Sequence, residues 1–221
     1  MINMSRTCAT AALAALLFAC VDPAARLDDF SDRVIDAGDR DRTDAAVVED
    51  IPDATGTFLL SLAPFISPDE PFQFLAEVTV NPDEAVLDIT VQPLDVNNRE
   101  PIGDAFGVGS VTISSTTEFD AIFAASPESC SDDPPEEPVR IPGAANPVSG
   151  SDLLLGPTLH GLLIDENRIC GRVTGCEYSL DLDLDSGSGS TFAAIRVDPG
   201  TEGDDLPEPV GSCAGLPDES E

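Results

Sequence analysis

From Gly56 onward the chain repeats one pattern: short runs rich in Val, Ile, Leu, Phe and Thr, broken by clusters of Pro, Gly, Asn and Asp. Runs of that composition are strands, and the clusters between them are turns. The spacing predicts strands near 57–65, 71–80, 85–92, 106–114, 117–124, 138–142, 152–155, 158–165, 168–175, 178–184 and 191–197. Several alternate cleanly. Val86-Leu87-Asp88-Ile89-Thr90-Val91 and Tyr178-Ser179-Leu180-Asp181-Leu182-Asp183-Leu184 place apolar groups on one face and polar groups on the other, as a half-buried strand requires. No stretch of this region keeps a helical apolar period for three turns. The expectation is an all-β domain over 56–198, a single antiparallel β-sandwich; roughly 140 residues suffice to bury its core. Ser126 to Pro138 reads as an acidic Pro-rich loop. Residues 199–221 read as an acidic Pro/Gly-rich tail, disordered except where Cys213 staples it back.

The pattern upstream is different. Val21 to Thr55 is rich in Asp and poor in large apolar residues, too little to offset the entropy of ordering, so 20–55 is expected to be a disordered acidic linker. Ahead of it, Arg6 gives a short charged start and Thr7 to Ala19 runs uncharged through Ala, Leu and Phe. That is the anatomy of a secretory signal over 1–19, too short to span a bilayer as a helix. An ordinary cleavage site wants small residues at −3 and −1, and a cut after Ala19 would put Leu17 at −3. Leu17-Phe18-Ala19-Cys20 instead resembles a bacterial lipobox. The resemblance implies that the Cys20 thiol takes a diacylglyceryl group, that cleavage falls before Cys20 and that the chain is anchored to a membrane through lipid. With Val21 rather than Asp after the cysteine, analogy with the enteric sorting rule favours the outer membrane; which face is left open. Each buried CH₂ of the acyl chains contributes about 0.8 kcal/mol to such attachment.

Charge narrows the partners. There are 42 acidic residues against 10 basic ones, a formal net charge of −32, and no Lys. Nucleic acid and anionic lipid headgroups are bound through basic surface, so neither is expected. Solubility and spacing from an anionic envelope is the plain reading of such a field, and cation binding the sharper one.

Once the leader, with Cys8, and the lipid site are set aside, four cysteines remain: Cys130, Cys170, Cys176 and Cys213. An even number in an exported chain predicts two disulfides. Their spacings of 39, 5 and 36 intervening residues contain no C-x-x-C pair, which argues against zinc. All three connectivities are open.

Candidate chemistry is thin. His160 is the only histidine and lies in the strand-like run Leu159-His160-Gly161-Leu162-Leu163, with no G-x-S-x-G elbow or H-E-x-x-H motif anywhere. Paired carboxylates are uninformative among 42 acidic residues, and sugar stacking has little to work with: no Trp and one Tyr, Tyr178. Asp181, Asp183 and Asp185 share the spacing that opens a calcium loop, yet Ser186 stands where an EF-hand has Gly and Phe192 where it has Glu. The Leu alternation makes them a solvated strand face, with carboxylates about 7 Å apart. No catalytic, cofactor or metal residue is assigned, with Ca²⁺ the one cofactor kept open.

The acidic linker, the β domain with Cys170-Gly171-Arg172-Val173-Thr174-Gly175 and the closing Ser190-Thr191-Phe192-Ala193-Ala194-Ile195-Arg196-Val197 together resemble lipoproteins of high-GC Gram-negative bacteria to which no activity is attached. That resemblance implies a sandwich and carries no functional residues. The functional expectation is therefore a lipid-anchored envelope protein acting as a non-catalytic interaction or structural module, with a protein or glycan partner. The alternatives are a cation-dependent adhesion or glycan-binding domain and, third, a secreted hydrolase.

Overall fold

A computed structural model describes residues 51–124, 130 and 134–217. The signal, the lipobox with Cys20, the linker up to Asp50, most of the acidic loop around Asp132 and the last four residues lie outside them. The described residues form ten strands: β1 (Gly56–Ala63), β2 (Phe72–Asn81), β3 (Val86–Pro93), β4 (Phe106–Thr112), β5 (Glu118–Ile122), β6 (Val139–Ile141), β7 (Leu153–Leu163), β8 (Arg168–Glu177), β9 (Leu182–Asp183) and β10 (Ser190–Val197). The all-β expectation holds.

The sandwich does not. One antiparallel sheet runs β4-β3-β2-β1-β10-β8-β7-β5, with β6 paired to β7 and β9 to β8, and it curls until it nearly closes into a barrel. Closure between the two end strands β4 and β5 comes down to the bridge Ile113↔Phe119 beside their connecting turn. A second sheet never separates because β1 pairs along its length with β2 on one side and β10 on the other, joining the halves of the chain through continuous ladders. Strand twist then curls the wide sheet until its inner face meets itself.

Inward positions recur every second residue. Phe58, Leu60, Phe74, Leu87, Ile89, Val91, Phe119, Leu159, Val173 and Phe192 fill the barrel, and Phe106 links Phe74 and Phe123 by edge-to-face contacts at 6.2 and 5.4 Å. Ordered packing begins ahead of Gly56. Ala54 is fully buried, Thr55 Oγ1 bonds the backbone of Val80, and the Arg196 guanidinium reaches the Thr55 carbonyl at 2.8 Å while lying over the Phe58 ring.

Three expected elements differ. The runs 152–155 and 158–165 form the single strand β7, with Pro157 inside it. Pro157 falls between the stretch of β7 paired to β6 and the stretch paired to β5, where no ladder needs its missing N–H, and its carbonyl still accepts the Phe123 amide at 3.1 Å. The run 178–184 is mostly turn, leaving Leu182–Asp183 as strand. Both Glu177 carboxylate oxygens accept turn amides, Ser179 at 2.9 Å and Leu180 at 2.7 Å, and Asp181 has φ 52°, so the chain folds back onto β8. Local side-chain bonds here outcompete the alternation.

The tail, expected to be disordered except where Cys213 staples it back, lies across the outer face as a strap through Pro217. Leu206 is buried with Leu59, Leu94 and Val197. Arg99 donates to the carbonyls of Leu206 and Pro207 at 2.9 and 2.8 Å, Thr191 Oγ1 to Gly211 at 2.7 Å and Arg168 to Pro217 at 2.6 Å. Arg99 sits in the β3–β4 connection, which Asp95 shapes; the amide of Asn97 on its carboxylate holds the Asp95 carboxyl below the ordinary range. Both disulfides are present, Cys130–Cys176 and Cys170–Cys213, with Cα separations of 5.2 and 5.3 Å.

Candidate functional site

The side chains of β5, β7 and β8 that point away from the core share one outer surface. The register places Asp120 opposite His160 and His160 opposite Arg172, with Glu118 opposite Leu162 and Ile122 opposite Thr158. Together with the rim of β4 from Val108 to Thr112, Glu118, Asp120, Ile122, His160, Leu162 and Arg172 line a groove of about 830 Å³, with Cys170 and Cys213 at one side.

Two glycines on the inner face set the sheet at this point. Gly161 and Gly171 are cross-strand partners, and a Cβ on Gly161 would lie 2.2 Å from the Phe119 ring, while one on Gly171 would lie 2.0 Å from the His160 carbonyl oxygen. Phe119 and Phe192, paired to these glycines, cover the space a side chain would have taken. Phe119 thus packs beneath the groove, and β7 is held close to β8 where His160 stands.

His160 is engaged through both ring nitrogens: Nδ1 lies 2.6 Å from Asp120 Oδ1 and Nε2 lies 2.8 Å from Thr174 Oγ1. An ionised carboxylate can only accept, so Nδ1 carries hydrogen and the Nε2 lone pair accepts from the Thr174 hydroxyl in the neutral ring. On protonation Nε2 donates to the same hydroxyl. Either charge state keeps its partners, and the imidazole is fixed as part of the groove wall.

Arg172, beside it, is exposed, and its guanidinium makes no hydrogen bond or ion pair among the described residues. Ile122 and Leu162 are 55% and 37% exposed, so the groove sets bare hydrocarbon beside a free guanidinium and two carboxylates. Carboxylate, imidazole and hydroxyl stand in the order of a hydrolytic triad. Thr174, however, lies within the β7–β8 ladder opposite Thr158, where backbone amides serve neighbouring strands instead of converging as oxyanion donors.

The sequence named His160 and none of its surroundings. Asp120 is 40 residues away and Thr174 is 14, and only strand register joins them. The expected strand face of Asp181, Asp183 and Asp185 is not formed: Asp183 Oδ1 accepts the Asp185 amide at 2.9 Å and Asp181 stands in the turn. Among the described residues no three His, Cys, Asp or Glu side chains converge on a point where an ion could sit. Cys130, Cys170, Cys176 and Cys213 are all consumed in bridges, so none offers a thiol. No described helix is long and apolar enough to cross a membrane. Compared with protein-family models, curated proteins and solved structures, the chain matches none.

Proposed function

We propose that this is an outer-membrane lipoprotein, anchored through Cys20, whose β-barrel is a non-catalytic interaction module that binds a protein partner of the cell envelope in the groove over β5, β7 and β8. The observation that carries this reading is the pairing of exposed Ile122 and Leu162 with Arg172, whose guanidinium has no partner among the described residues, in one concave surface. Apolar anchors beside an available arginine are what protein interfaces concentrate. A protein fits better than a glycan: the aromatic ring of the groove, Phe119, is buried at its floor and offers no platform for a sugar. The field of the acidic surface speeds encounter with basic partners.

The test has two parts. Palmitate should label the wild type in cells, and Cys20→Ser should lose both the label and the membrane attachment; sedimentation of the variant with membranes after carbonate washing would place the anchor elsewhere. A photocrosslinking residue at Ile122 should give one discrete adduct in the envelope, absent when Arg172→Glu is added and absent with the crosslinker at Glu84 in the β2–β3 turn. Equal adducts from both positions would overturn the groove as the binding surface.

A further inference from the structure

The barrel has a second concavity, at the end where the 64–71 and 178–185 loops meet. It measures about 80 Å³ and is lined by Leu62, Phe65, Phe72, Leu153, Leu155 and Leu184 among others, with Ile66 and Leu180 standing exposed at its mouth. Three lining residues carry polar side chains, Glu177, Asn146 and Ser149, and bonds within the surrounding loops engage each of them, Ser149 Oγ accepting from Asn146 and from the Ser151 amide. Glu177 gives its carboxylate oxygens to the Ser179 and Leu180 amides. Asn146 donates to Ser149 Oγ at 2.7 Å and the Ser151 carbonyl at 2.8 Å, and its own oxygen accepts the amides of Val148 and Ser149. The wall therefore presents carbon. A polar group pushed into it would lose its water without gaining a partner there, so the well disfavours it.

The shape selects further. A smaller void of about 30 Å³ shares Leu62, Phe74 and Leu155 with the lining of this well and has Phe106 and Phe123 among its other walls. A guest that reached from the well past these shared residues into the smaller void would have to be slender, which suits the end of a linear chain better than a ring system. Apolar cavities of this kind hold apolar guests. The loops at the mouth carry Asp69, Glu70, Asp181, Asp183 and Asp185, so the head group left outside meets negative charge.

We infer that this end of the barrel is a binding site for the end of a linear hydrocarbon chain, such as a lipid acyl or alkyl tail, borne on an uncharged or cationic head. The site is separate from the groove over β5, β7 and β8 and does not depend on it.

The experiment titrates 1-decanol, decyltrimethylammonium, decanoate and 1-adamantanol, each below its aggregation limit, into the purified full chain carrying Cys20→Ser, observed through the methyl NMR signals of its leucines. Decanol and decyltrimethylammonium should bind saturably and shift Leu62, Leu153 and Leu155, leaving Leu59, Leu94 and Leu206 of the strap cluster in place. Decanoate should bind at least tenfold more weakly at pH 7, and adamantanol should not compete. Leu62→Trp, which fills the well, should weaken decanol at least tenfold; the exposed pair Ile66→Ser and Leu180→Ser, which leaves the core intact, should weaken it at least threefold. Unsaturable shifts, competition by adamantanol equal to that of decanol, shifts centred on the strap cluster, or unchanged affinity in the rim variant would each overturn the site. Decanoate binding as tightly as decanol would overturn the head-group assignment.

Discussion

Ser61 shows how a single position can work against the fold that surrounds it. It lies in β1 at 1% exposure, on the outward side of the strand and beneath the strap, and its hydroxyl has no hydrogen-bond partner among the described residues. Burying an unpaired hydroxyl costs on the order of 1–3 kcal/mol, whereas a methyl in the same space costs nothing of that kind. Ser61→Ala is therefore expected to raise stability by about 1 kcal/mol in denaturant titration. A loss of that size would mean that the hydroxyl is satisfied in solution. His160 is the opposite case: a polar residue on the outside of the barrel whose two nitrogens both have partners, supplied by strands far apart in sequence.

Among the elements, the strap depends most on specific attachments. It has little regular structure of its own, so its position rests on Leu206, on the carbonyls held by Arg99, Arg168 and Thr191, and on Cys170–Cys213. That bridge spans a sequence separation of 43, for which chain entropy alone gives about 4 kcal/mol. The interval overlaps that of Cys130–Cys176, which already restrains part of the unfolded chain, so the gain is smaller. Replacing Cys170 and Cys213 together by Ser should lower stability by about 3 kcal/mol. Amide exchange should rise first in the strap around 203–216 and last in β1 and β10. Uniform loss across the barrel would show instead that the strap is integral to its folding.

At the scale of the molecule, charge dominates. The chain holds 42 acidic residues against 10 arginines, and three of those arginines, Arg99, Arg168 and Arg196, spend their guanidinium groups on backbone carbonyls that tie the ends of the described chain to the barrel. Repulsion among the carboxylates is left to solvent and salt. The unfolding midpoint should rise with NaCl as the Debye length falls below about 10 Å, and Ca²⁺ and Mg²⁺ at matched ionic strength should act about equally. Asp183→Asn should be neutral or slightly stabilising. A saturable, Ca²⁺-selective gain that disappears in this variant would instead reveal a cation site built around Asp181–Asp185.

Local pattern determined the strand class, most of the strand positions and the presence of two bridges, because alternation, turn residues and cysteine count are properties of neighbouring residues. Pattern misled at Tyr178–Leu184, where Glu177 turns the chain with its own carboxylate, and at Pro157, where the gap between β5 and β6 removes the penalty for a missing amide. Tertiary structure alone decided the rest. Whether ten strands divide into two sheets or curl into one depends on β1 finding both β2 and β10, contacts a local pattern does not encode. Cysteine connectivity followed from where β8 places Cys170 and Cys176. The groove and the apolar well exist because register and curvature bring distant residues to one surface. Period-two alternation says which side of a strand a residue takes, but not which other strands share that side.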